Sequence, residues 1–454
     1  MRIRHIALTA LTTATLAHAV PAAAQTLTGE HRQAAERLVD AALTDRTGWE
    51  RLTEMVDAFG PRLSGSVNLE LALDWMLETM EADGLDAVRG EPVMVPHWVR
   101  GEESARLVMP RERDLPMLGL GGSVGTPPGG IRAEVLVVSD FAELEARADE
   151  ARGRIVLFDA PFVSYGLTVQ YRTRGAVAAA EAGAVASLIR SVTPHSQQTP
   201  HTGVMDYAEG VERIPHAAIT VEDAELLHRL QDRGERIEVE LRMEAKTLPD
   251  APSRNVMGQV TGWEHPDEVV VLGGHSDSWD VGQGAMDDGG GVLAAWEAVR
   301  LMKALGLRPR RTVRAVAWTN EENGLRGGEA YAEDHAEETH VLAIESDGGV
   351  FSPEGFGFMG SDAAYAIVRE IGALLDGIGA GEITRGGGGA DIGPLMRQGV
   401  PGMGLQVDST RYFWFHHTDA DTIDKLDPDE FARCVAAMAV MAYLVADLAE
   451  PLPR

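Results

Sequence analysis

The chain has 454 residues, 44% of them apolar and 24% charged, with a formal net charge of −30. That length fits two or three domains with a full core, and the apolar fraction excludes disorder as the overall state. The acidic excess excludes nucleic acid as a partner and electrostatic docking on anionic lipid, both of which need a basic face; a solvated, mutually repulsive surface accounts for it.

Arg2 and Arg4 begin the chain, Ile6 to Val20 is short and mostly apolar, and Pro21-Ala22-Ala23-Ala24 offers small residues for cleavage. This reads as a signal peptide over 1–24, giving an exported protein, periplasmic or secreted. No later segment has the uninterrupted apolar length of a membrane span. From Thr26 to Gly84 the pattern is helical, broken at Gly60-Pro61 and Gly65, and residues 25–104 are expected to form an N-terminal helical segment packed on the core. Residues 105–250 read as an inserted α/β module, with strands at 133–138, 155–158, 186–189 and 237–241 and a helix at 174–184. Residues 251–454 alternate strands (268–272, 312–318, 341–344, 401–407) with helices (291–305, 326–335, 429–448). That alternation predicts an α/β fold, a doubly wound and mostly parallel sheet with helices on both faces. The single cysteine, Cys434, excludes an internal disulfide and a four-thiolate zinc cluster.

In such sheets ligands bind beyond the carboxyl ends of the strands. Here those ends read Gly273-Gly274-His275-Ser276-Asp277, Thr319-Asn320-Glu321-Glu322 and Glu345-Ser346-Asp347; two loops add Gly284-Ala285-Met286-Asp287-Asp288 and His416-His417-Thr418-Asp419-Ala420-Asp421. Imidazoles and carboxylates without sulfur fit zinc or manganese. Two metals need a bridging carboxylate and further ligands on each side. The set supplies one central Asp, His and Asp on one side, and Glu and His on the other. The Glu321-Glu322 pair gives one carboxylate to a metal and leaves its neighbour free as general base.

These motifs resemble the co-catalytic zinc aminopeptidase and carboxypeptidase family. The run His275 to Gly291, with Tyr412-Phe413-Trp414-Phe415-His416-His417, is most similar to its carboxypeptidase Q branch. A looser similarity covers Phe59 to Gly65 and Val95 to Arg100. The resemblance implies two Zn2+ per chain. One would be held by His275, Asp287 and Asp347, the other by Asp287, Glu322 and His417, with Asp287 bridging. Glu321 would be the general base for a metal-activated hydroxide, and Asp277 would hydrogen-bond the far nitrogen of His275. The motif's spacing favours Asp287 over Asp288 and His417 over His416. The family also carries a protease-associated domain, which fits residues 105–250, and residues 251–454 would be the di-zinc peptidase domain. The substrate implied is a short peptide, a dipeptide above all, and the assembly a homodimer.

Asp391 in the Gly-rich loop from Arg385, together with Tyr412 and His416, are candidates for the substrate pocket. Tyr412 would polarise the scissile carbonyl, or its aromatic run would serve as core or dimer interface; Asp391 would face the pocket, or merely shape a turn. Two alternatives stand beside this reading: a single-zinc glutaminyl cyclase of the same fold, and a non-catalytic binding protein in which metals only stabilise the chain. Gly121-Gly122-Ser123-Val124-Gly125 matches the serine-hydrolase pattern, but Pro127-Pro128-Gly129-Gly130 forbids the helix which that mechanism needs.

Overall fold

A computed structural model describes residues 27–454; the expected signal peptide lies outside the described residues. The larger of two eight-stranded sheets runs, edge to edge, through Asp86–Val99, Lys246–Val260, Arg311–Trp318, His265–His275, Thr339–Glu345, Gly402–Val407, Pro353–Met359 and Glu382–Arg385. Its four central strands, from Arg311–Trp318 to Gly402–Val407, are mutually parallel, and antiparallel pairings flank them on both sides. Their residues are almost all buried, as strands covered on both faces must be.

The fold places the site through register. His275 pairs with Trp318, and Gly273 pairs with Glu345. The segments that continue from these strands therefore leave the sheet along one edge, carrying Asp277, Glu321 and Asp347 with them.

Helices Gly290–Ala304 and Pro428–Asp447 cover one face. The second opens with Asp427, whose carboxylate accepts from the amides of Asp429 and Glu430, and with Pro428, whose missing N–H costs nothing there. Fifteen residues from Phe431 to Ala446 are buried against the sheet, Cys434 among them. Helices Gly29–Thr44 and Thr47–Phe59 pack on this pair, and Val67–Ala82 packs on strands Asp86–Val99 and Lys246–Val260.

The N-terminal segment is not helical to residue 104. Its last helix ends at Ala82, and Asp86–Val99 is an edge strand paired with Lys246–Val260. Around Val93 and Val95 side chains alternate inward and outward, a two-residue period that suits a strand and not a helix.

The second sheet is built from Glu103–Met243. Strands Ile131–Val138, Ile155–Phe158, Ala186–Arg190 and His216–Ile219 run parallel, with helices Gln170–Glu181 and Val221–Asp232 beside them. It has its own apolar core, into which Trp279 projects from the loop that follows His275. Ser123 is buried, its hydroxyl accepts from the amide of His216, and no helix follows it. The serine-hydrolase pattern therefore lacks its elbow. Among the described residues no helix is long and apolar enough to cross a membrane.

Candidate metal centre and active site

His275 ends its strand with one ring nitrogen fixed. Nδ1 lies 2.9 Å from the backbone carbonyl of Asp277, an acceptor only, so Nδ1 carries the proton and Nε2 is free for a ligand. Nε2 lies 3.2 Å from Asp287 Oδ1 and 3.3 Å from Asp347 Oδ1. Across the pocket His417 repeats the device: Nδ1 is 3.2 Å from the carbonyl of Thr202, and Nε2 is 3.1 Å from Glu322 Oε2 and 3.4 Å from Asp287 Oδ2. Asp287 thus stands between two imidazoles, one oxygen toward each. His417 has φ 61°, a left-handed backbone held from outside by the amide of Thr202, which donates to the His417 carbonyl at 3.0 Å.

The adjacent pairs separate by what their side chains are bonded to. Asp288 accepts from the amides of His275 and Gly291 and is fully enclosed. A side chain at Gly274 or Gly291 would collide with its carboxylate, so these glycines are required by close approach. Asp287 lines the cavity instead, and its Oδ2 is buried without a hydrogen-bond partner. His416 stacks on the His417 ring at 3.5 Å and sits 3.8 Å from Asp287, farther than its neighbour. Burial and the neighbouring His417 hold its basicity well below the usual histidine range.

Asp277 does other work than expected. Its backbone carbonyl, and not its carboxylate, orients His275; the carboxylate is 3.9 Å from that ring. The carboxylate accepts from the amides of Glu321 (3.0 Å) and Glu322 (3.3 Å) and from the Ser64 hydroxyl (3.2 Å). It therefore shapes the turn that presents both glutamates. Glu322 turns toward His417 and accepts from the Trp279 amide, whereas the Glu321 side chain, 22% exposed, reaches the cavity 4.0 Å from His275 Nε2.

The electrostatics call for cations. Burial and its carboxylate neighbours raise the Glu321 carboxyl well above the usual range; burial and Asp287 push Glu322 up to about 7. Burial alone would lower the basicity of His275 and His417, but Asp287 and Asp347 raise the first and Glu322 and Asp287 the second. His275–Asp287–Glu322 and His275–Asp288–Asp347 each bring three ligand atoms within 4.8 Å of one another, as do Asp287, His416 and His417. Nitrogen and oxygen donors around an orphaned buried carboxylate oxygen fit zinc.

The pocket candidates divide. Tyr412 lines the cavity of about 430 Å³, with its ring 4.8 Å from that of His416. The rest of its aromatic run is divided between core and an internal seam. Phe415 is buried, and Phe413 packs on Phe162 and Tyr165 of the second sheet's layer. Ala390 lines the cavity, and Asp391 beside it is buried. Glu345 accepts from the amides of Ala390 and Ile392, and between them Asp391 is buried with both carboxyl oxygens unpartnered.

Two supporting residues escape a reading of the sequence. Arg62 is fully buried and donates to the carbonyls of Gly60, Ser276, Gln283 and Gly284, bracing the loop between His275 and Asp287. Asp421 accepts from the amides of Met286 and Asp287. Both act on backbone, which leaves no side-chain motif; the signals were the Phe59–Gly65 run and the spacing from His417 to Asp421.

Residues 255–442 match the model of peptidase family M28. Human carboxypeptidase Q is 50% identical over 408 residues, covering 89% of this chain and 86% of the human protein. The chain belongs to peptidase family M28. It fits the carboxypeptidase Q branch of that family and is a metallo-exopeptidase with a buried histidine–carboxylate zinc site. The structure of an M28 peptidase precursor from Shewanella amazonensis SB2B superposes with a TM-score of 0.89 at 35% identity, covering 94% of this chain and 98% of that one. A zinc aminopeptidase from Bacillus subtilis shares the fold, with a TM-score of 0.66 at 19% identity over 92% of this chain and 98% of that one. Every expected metal ligand lies within the M28 match, but Arg62 and Thr202, which brace them, lie outside it.

Proposed function

We propose that the protein is an exported, two-zinc exopeptidase whose best substrates are short, unblocked peptides, dipeptides above all. The observation that carries this reading is Asp287, set between His275–Asp347 and His417–Glu322 with one carboxylate oxygen toward each pair. Asp287 would bridge two Zn2+ ions, with His275 and Asp347 holding one and Glu322 and His417 the other. Bound zinc supplies Lewis acidity and lowers the pKa of water. Glu321 takes the proton from the attacking water and passes it to the leaving amine, a role its place at the cavity edge beside His275 allows. Tyr412 keeps its phenol proton, because burial and the nearby Asp287 and Asp347 raise its pKa further, and it donates toward the scissile carbonyl. A cavity of about 430 Å³ suits a small ligand and not a folded protein. Two complete ligand sets favour this reading over a single-zinc glutaminyl cyclase.

The layer of residues 105–250 is read as the family's protease-associated insertion. A homodimer draws support from Val163 and Leu167, exposed apolar side chains on either side of the pocket residue Tyr165. A panel of dipeptides and amino-acyl anilides, assayed before chelation, after it and after zinc add-back, tests the function. Dipeptide hydrolysis should vanish with chelation and return with zinc. Hydrolysis that persists without metal, or is confined to anilides, would overturn the reading.

A further inference from the structure

Glu321 follows a residue with an unusual backbone. Asn320 has φ 70°, the left-handed region that asparagine tolerates better than most side chains, and it is fully buried just beyond strand Arg311–Trp318. A conformation of that kind persists only where its surroundings enforce it. Here three hydrogen bonds on one side-chain amide do so. The Arg326 backbone N–H, which can only donate, faces Asn320 Oδ1 at 3.4 Å. Nδ2 therefore points the other way, donating to the Ser64 hydroxyl at 3.1 Å and to Asn323 Oδ1 at 2.5 Å. Because Ser64 accepts there, its own proton goes to Asp277 Oδ2 at 3.2 Å.

The relay ends on Glu321 from two directions. Asp277 accepts from the Glu321 amide, and the Gly324 amide donates to the Glu321 carbonyl at 3.2 Å. A Cβ at Gly324 would fall 2.0 Å from Asn320 Oδ1, so the turn closes tightly around the asparagine. The Glu321 backbone is thus held on both sides while its carboxylate reaches the cavity. Ser64, Asp277 and Asn320 are all buried, where water does not replace a lost bond and an unmade one is costly. Ser64 comes from the link between helices Thr47–Phe59 and Val67–Ala82, outside the residues that match the family. The turn that carries Glu321 is therefore set partly by the N-terminal segment.

We propose that Asn320 and Ser64 are positioning residues for Glu321, fixing its turn so that the carboxylate meets first the attacking water and then the leaving amine. The assignment rests on the reading of Glu321 as general base and deepens it, naming the groups that hold that base in place. Neither residue touches the substrate; both act through the backbone of the turn.

Double-mutant cycles on the zinc-loaded enzyme, with one dipeptide as substrate, test this. Asn320→Gly keeps the left-handed backbone accessible and removes only the side-chain amide; Ser64→Ala removes only the hydroxyl. Each should lower kcat by about 10- to 100-fold, the scale of a misplaced catalytic group, with KM and zinc content little changed. Glu321→Gln removes the group they position. Adding Asn320→Gly or Ser64→Ala to it should therefore lower the residual rate no further. If the losses multiply instead, the two residues merely support the fold or the ligand loops, and the proposal is overturned. An unchanged kcat in both single variants overturns it too. If Asn320→Gly does not fold, Ser64→Ala decides by the same comparison. Wild-type turnover in Glu321→Gln alone would instead sink the general-base reading, and this proposal with it.

Discussion

Glu321 and Glu322 share one turn and differ in what they face. The Glu322 carboxylate is engaged by His417 and the Trp279 amide, and Glu321 is left at the cavity edge. Glu321→Gln should lower kcat for a dipeptide by about 10³-fold, the range of a general base, with zinc content unchanged by elemental analysis. Unchanged turnover would remove Glu321 from its role. Asp277→Ala takes away the acceptor for both glutamate amides while leaving its own backbone carbonyl on His275. It should therefore lower kcat while His275 keeps its orientation, and weaken zinc at the Glu322 side more than at the Asp347 side. The candidate ligands and Glu321 were legible in the sequence because each sits at a strand end or in a motif of fixed spacing. The Asp277 carboxylate was assigned to the wrong partner, because a one-residue rotation between carbonyl and side chain is invisible in a string of letters. The loop around Asp391 was equally unreadable: its backbone is fixed by Glu345, which accepts from the amides on both sides of Asp391.

At the level of elements, the centre depends on segments far from the peptidase sheet. The loop around Thr202 orients His417 from outside, and it is held in turn by the Thr202 hydroxyl, which donates to the Gly119 carbonyl and accepts from Arg100. Thr202→Val removes both bonds and, if the centre holds two zinc ions as proposed, should weaken the one at His417 by about 10-fold, the usual scale for support behind a metal ligand. Competition with a calibrated chelator reads this out; equal loss of both metals, or of neither, would contradict it.

A second inter-element tie sets a pH dependence. His335, at the end of helix Arg326–Asp334, lies 2.9 Å from Glu91 on the edge strand and 3.3 Å from Glu338. Burial alone would lower its basicity, but the two carboxylates raise it to about 9. A histidine raised above its unfolded value stabilises the fold fully below pH about 6.5, and that contribution fades as pH rises through 9. His335→Gln should therefore cost about 1–3 kcal/mol at pH 6 and much less at pH 10, measured by denaturant unfolding at both values. A cost that does not vary with pH would exclude the charged bridge.

Elements with strong periodicity were legible: His265–His275, Arg311–Trp318 and Pro428–Asp447 lie within a few residues of their expected bounds. Strands Pro353–Met359 and Glu382–Arg385 were not, because Gly355 and Gly357 on either side of Phe356 dilute the alternation of the first and the second is very short. The edge strand Asp86–Val99 interrupts its pattern with Gly90, Pro92 and Pro96, which an edge tolerates and a central strand does not.

Across the whole molecule, each sheet carries an apolar cluster on both of its faces, and the site lies at the seam between the two sheet layers. Trp279 enters an apolar core of the second sheet from the loop that follows His275, and Phe413 packs across the seam from the other direction. The net charge of −30 is mostly surface, but Asp287, Glu321, Glu322 and Asp347 converge in one cavity, where His275 and His417 offset their mutual repulsion in part. Divalent cations should therefore stabilise the fold itself. Chelation should lower the melting temperature by more than about 5 °C, as expected when a ligand bound only to the native state is withdrawn, and an unmoved melting curve would mean that no tightly held ion resides there. The most direct test of the central claim is a titration of metal-free protein with zinc, following dipeptide hydrolysis and bound metal together. Two equivalents per chain should bind, with activity reaching its plateau only as the second site fills; full activity at one equivalent would contradict the two-metal centre bridged by Asp287.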